Sequence, residues 1–164
     1  MSARTRLPSL GQMMQQAIDS SKTQLANGND DELRSIAMLR SVDGELVVVG
    51  LLGETTPQNV TAVRAMAIKE RATAVVLRSE AWAANLSVDD PIAKRLLRRE
   101  ILVRDLPPEK RFDALIIYGE ELGARRPQIQ TFAITSGRTD LRRQRLSESE
   151  WRTAFWPLLL GNVR

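Results

Sequence analysis

The chain contains neither cysteine nor histidine. Without thiols there is no disulfide framework. Zinc centres built from Cys and His are excluded, as are Ser-His-Asp and Cys-His catalysis. Any chemistry would rest on carboxylates, hydroxyls, a hard metal held by oxygen, or Lys22, Lys69, Lys94 and Lys110. No cofactor is implied. Nor is there an apolar run long enough to cross a bilayer. Residues 1–8 hold Arg4 and Arg6 but no apolar stretch behind them, unlike a secretory signal. A cytoplasmic protein with no membrane contact is expected. Glycine-rich phosphate loops, internal repeats and low-complexity tracts are also missing.

What is present is an ordinary globular composition in 164 residues, read as one domain over 1–164 with residues 1–8 flexible. Charge is uneven. Residues 1–90 carry nine Lys and Arg against eleven Asp and Glu, and residues 91–164 carry fifteen against nine. The basic second half hints at an anionic partner, although interspersed acids suit a solvated surface equally well.

The centre of the chain is the run Glu45–Leu52, almost free of polar residues, then Thr55-Thr56-Pro57 opening a helix to about Arg71, then the strand Thr73–Trp82. Strand, crossover helix and strand predict a βαβ unit with two neighbouring parallel strands, the first of them central and covered on both faces. Val60, Val63, Met66 and Ala67 form the helix stripe that lies on the sheet. The loop 53–57 precedes a helix N-terminus, but Gly50 and Gly53 are too few for a phosphate fingerprint.

Before this centre, Ser9 and Gln12 form a capping box for a helix with Leu10, Met13, Met14, Ala17, Ile18, Ser21 and Leu25 on one face. Asn27-Gly28 ends it. Leu33–Val42 reads as a strand joined to Glu45 onward by a two-residue Asp43-Gly44 turn. After the centre, Pro91 starts a helix reaching Arg104, and Leu106-Pro107-Pro108 breaks it. Phe112–Gly119 and Gln128–Ser136 read as a hairpin. Ser147 and Glu150 form a capping box for a last helix. The fold expected is α/β (α+β), in two or three layers, with a mixed sheet of about five strands in the order α-β-β-α-β-α-β-β-α.

That order is similar to the cytidine deaminase-like arrangement. The resemblance implies a shape without the activity, because residues 56–60 and 86–91 lack the zinc ligands that family uses. The strand end Ser79-Glu80-Ala81-Trp82, and Arg111-x-Asp113-Ala114-Leu115 with Glu120 beyond it, resemble a scattered group of uncharacterised phage and bacterial proteins. This resemblance implies a mobile-element origin and no particular activity.

Four groups of residues are candidates for function. Lys94, Arg95, Arg98 and Arg99 share one side of the third helix, opposite Ile92, Leu96 and Leu97, and Arg138, Arg142, Arg143 and Arg145 form a second basic cluster. Together they suit phosphates, although no aromatic interleaves them for base stacking. Trp151, Phe155, Trp156, Leu159 and Leu160 offer more apolar surface than one helical face buries, a docking site for a partner chain or simply core. Glu80, at a strand end, needs a donor if buried; Arg78 is placed on the opposite side, so Arg111 is the expected ion-pair partner. Glu80, Asp89, Asp90 and Glu120 are candidates for a hard-metal site in an enzyme using carboxylates, the last-ranked of three expectations; Asp30, Asp31 and Glu32 could also hold a divalent cation but lack defined ligand spacing. The first expectation is a non-catalytic interaction domain using its C-terminal helix and a sheet edge to bind itself or another protein. A nucleic-acid-binding module is the alternative.

Overall fold

In a computed structural model of the chain, the described residues are 6–27, 33–52, 56–84, 86–87, 89–135, 137–138, 140–144 and 159. Among the described residues three helices, α1 (Leu10–Ala26), α2 (Thr56–Lys69) and α3 (Pro91–Leu97), accompany six strands: β1 (Ile36–Ser41), β2 (Leu46–Gly50), β3 (Ala72–Ala83), β4 (Phe112–Glu121), β5 (Gln128–Ile134) and β6 (Leu141–Gln144). The strands form one sheet in the order β2-β1-β3-β4-β5-β6, and every neighbouring pair is antiparallel. The architecture is α/β in the broad sense expected, with helices on both faces of the sheet.

Helix α1 forms as its sequence dictates. Ser9 Oγ accepts from Gln12 N while Gln12 Oε1 accepts from Ser9 N. All seven residues of the expected stripe are buried. Such a cap stabilises by about 1 kcal/mol, whereas each buried Leu, Ile or Met contributes about 1.5–3. Packing, not capping, therefore holds α1 in place. Its stripe meets Met38, Ala74, Val76, Leu115, Ile117, Phe132 and Ile134 on one face of the sheet. The approach is closest at Gly119, where a Cβ would sit 2.6 Å from Met14 Sδ. On the other face, Val60, Val63 and Ala67 of α2 pack with Ala37, Leu39, Val75, Leu77, Tyr118 and Leu159.

The central prediction needs correction. β2 and β3 do run in the same direction, since each is antiparallel to β1, but β1 lies between them. The apolar run 45–52 is thus the edge of the sheet and not its middle: Val47 and Val49 are partly covered, while Val48 is 57% exposed. Proximity decided this outcome, because the hairpin to β1 closes locally and occupies the place beside β3. The hairpin loop has three residues, Val42, Asp43 and Gly44, with Ser41 N bonded to Glu45 O at 2.8 Å. Gly44 takes a φ of 93°, which the turn requires and a side chain would resist.

Three further expectations change. The sheet is antiparallel between all neighbours, not mixed. The third helix stops at Leu97, with Arg99 left-handed at φ 58°, and continues only as short 3-10 turns at Val103–Asp105 and Pro108–Lys110. A sixth strand, β6, occupies part of the polar stretch after Gly137. The C-terminal helix and its Ser147–Glu150 box lie outside the described residues.

Candidate interaction edge

The polar group at the end of β3 is built from alternate residues of one strand. Arg78 and Glu80 are two apart, so both point to the α1 face. Placing Arg78 on the opposite side from Glu80 was therefore wrong. Glu80 accepts from Arg138 Nη1 at 2.7 Å and Nη2 at 3.0 Å, and from Leu33 N at 2.7 Å. Arg138 also reaches Asp113 at 3.2 Å. These bonds, chiefly the one to Glu80, raise the Arg138 pKa above its ordinary value.

Arg111 is thus not the partner of Glu80. Its Nη1 donates to Arg104 O at 2.7 Å, and its guanidinium lies 4.6 Å from the centre of the Trp82 ring. Arg78 is buried, donating to Ser21 Oγ at 3.2 Å and Arg34 O at 2.9 Å, with no partner for its Nε among the described residues. Burial lowers its pKa and the nearby Glu80 charge raises it. The whole group fastens the approach to β1, the end of β3 and the turn before β6 to one another. With three donors on its two oxygens, Glu80 is occupied as a structural anchor.

The acids do not converge. Glu120 lies on the α2 face, opposite Val75, away from Glu80. It accepts from Tyr118 Oη at 2.7 Å and from Leu159 N at 2.8 Å. Among the described residues no group of three acids stands ready to hold a metal. Asp30, Asp31 and Glu32 lie outside them, as do residues 53–55 of the loop before α2.

The expected C-terminal docking surface is only partly visible. Leu159 is 2% exposed and belongs to the core between α2 and the sheet. Trp151, Phe155, Trp156 and Leu160 lie outside the described residues, and so does Arg145. Lys94, Arg95, Arg98 and Arg99 are all exposed, as are Arg142 and Arg143 on β6. Arg95 and Arg98 both approach Glu100, at 3.5 and 4.0 Å. Leu97, expected to turn inwards, is 79% exposed.

The feature that the sequence named only as an unspecified sheet edge is β2. Ladder alternation fixes which of its groups face outwards. Ser41 pairs with Glu45, and Ser35 O accepts from Leu51 N at 2.9 Å, so 45, 47, 49 and 51 turn their N–H and C=O towards β1. Leu46, Val48 and Gly50 therefore turn theirs away from the sheet. No second strand borders β2 among the described residues.

The side chains of Leu46 and Val48 point to the α1 face. They are exposed there, because α1 packs over β3, β4 and Met38 of β1 and stops short of β2. A groove of about 600 Å³ runs beside Leu46, bordered by Arg6, Leu7 and Pro8 and by Gln12, Gln16 and Asp19 of α1. No charge lies between Leu46 and Leu52, whereas β6 at the other end of the sheet carries Arg142 and Arg143. Natural edges are usually guarded by charge, by proline or by shortness, and β2 lacks the first two. No family model, curated protein or solved structure matches this chain.

Proposed function

We propose that this chain is a non-catalytic interaction domain that accepts an extended strand along β2. The observation that supports this reading most is the uncharged strand Leu46–Gly50, which exposes Leu46 and Val48 and turns three backbone donors and three acceptors outwards. Main-chain bonds give such an addition its affinity, and alternate side chains give it specificity.

Amide exchange on the full chain tests it. With concentrated protein, or with a synthetic peptide of residues 44–52, the amides of Leu46, Val48 and Gly50 become protected. The inward amides of Val47 and Val49 are protected throughout. If all three outward amides exchange at free-chain rates under both conditions, the reading fails.

A second reading, nucleic-acid binding, draws on six exposed cations and on Trp82, which is 49% exposed beside Arg111. It requires affinity for single-stranded DNA or RNA that falls linearly in logarithm with salt. Absence of any gel shift at low salt removes it.

A further inference from the structure

We infer that the strand accepted by β2 is β2 of a second copy of this chain, antiparallel to the first, with Val48 on the two-fold axis. This rests on the reading of β2 as a strand-accepting edge and adds the identity and register of its partner.

Parity supplies the first argument. The outward residues are Leu46, Val48 and Gly50, so an antiparallel copy centred on Val48 sets Leu46 opposite the partner's Gly50 and Val48 opposite the partner's Val48. Each is a hydrogen-bonded pair exchanging two bonds, so every outward donor and acceptor from Leu46 to Gly50 is satisfied in both copies. An edge that is its own complement closes with two molecules.

Side-chain volume agrees with this register. A Cβ built on Gly50 meets none of the described residues within 4 Å. The space above it receives the partner's Leu46, which shares its face of the sheet, and the two Val48 side chains meet at the axis. The exposed apolar residues of both copies then form one continuous strip.

Charge selects the direction. Asp43 and Glu45 lie at one end of β2, and no charge follows until after Leu52. A parallel partner would set four carboxylates side by side. The antiparallel arrangement sends the second pair to the far end, roughly 20 Å away over the six residue steps from 45 to 51. Pairing β2 with β6 instead would leave a free edge at each end and propagate indefinitely, and the exposed Arg142 and Arg143 of β6 offer that strand no apolar match. A two-fold axis perpendicular to the sheet also keeps both copies of α1 on one face and both copies of α2 on the other.

The lack of cysteine makes the test clean, since any disulfide reports the position where a thiol is introduced. Opposed residues in a hydrogen-bonded antiparallel pair have Cα atoms about 5.5 Å apart, within disulfide reach. Val48→Cys is solvent-exposed and leaves the interior untouched. Under mild oxidation of the full chain it should convert mainly to a covalent dimer. Leu46→Cys and Gly50→Cys should each stay monomeric alone, their own copies lying roughly 13 Å apart along the strand, and should cross-link when mixed.

A monomeric Val48→Cys overturns the inference, as does self-linking of Leu46→Cys. If the peptide of residues 44–52 still protects the outward amides in that case, the strand-accepting reading stands and the two-fold pairing of whole chains centred on Val48 falls. If neither protection nor cross-linking occurs, both fall.

Discussion

Glu80 and Arg138 meet through two parallel bonds, although 58 residues separate them in the chain. Both side chains are mostly covered, at 6% and 20% exposure. Removing Arg138 leaves a shielded carboxylate with Leu33 N as its remaining described donor. Arg138→Ala is therefore expected to lower stability by about 3 kcal/mol, read as a shift in urea midpoint. Arg111→Ala loses the contact with Trp82 and an exposed bond to Arg104 O, and should cost about 1 kcal/mol. Equal costs would restore Arg111 to the role the sequence suggested.

Tyr118 is the only tyrosine, and its buried hydroxyl donates to Glu120. Burial, and then the Glu120 bond and charge, push its pKa far above the ordinary value. The unfolded chain thus loses a proton near pH 10 that the folded chain keeps. Stability contributed by this group is intact below that pH and falls above it, by up to about 1.4 kcal/mol per pH unit. Tyrosinate absorbance should appear only together with unfolding. A phenolate that titrates near pH 10 while the fold persists would contradict the buried bond.

Gly119 lets α1 approach β4. Gly119→Ala drives a methyl group into Met14 and should destabilise by about 1–3 kcal/mol. In a Met14→Ala background the added methyl should cost much less. Additive losses in that double-mutant cycle would show that the two residues do not share this space.

Val48 projects into solvent, so Val48→Lys should change the stability of the isolated chain by no more than about 0.5 kcal/mol. It should abolish any rise of mass with concentration in sedimentation, because two opposed ammonium groups would meet at the axis. Persisting association would place the contact elsewhere.

Local features were legible in the sequence, and remote ones were not. Ser9, Gln12 and the seven-residue stripe of α1 could be read because caps and helical faces are set within a few neighbours. The stripe of α2 was readable for the same reason. β2 was misplaced because an apolar run has the same composition at the centre of a sheet as at its margin. Only the insertion of β1 decides between the two places, and that insertion is a long-range pairing. β6 was missed since Leu-Arg-Arg-Gln has no alternating apolar pattern; its strand geometry comes from the β5 ladder. Arg138 was grouped with a basic cluster because nothing nearby in the chain reveals that it reaches Glu80.

The insertion of β1 also bears on the order in which the molecule consolidates. β4, β5 and β6 follow one another through short turns, whereas β1 reaches β3 only after α2 has crossed the sheet. Contacts between near neighbours form at lower entropic cost. Truncation at Ile117 is thus expected to slow refolding, and truncation at Leu39 to hasten unfolding instead; the reverse in stopped-flow kinetics would refute this sequence of events. The β1–β2 hairpin, closed locally, then docks on β3 as one late unit, so the outer margin of the sheet takes its place only when the hairpin does.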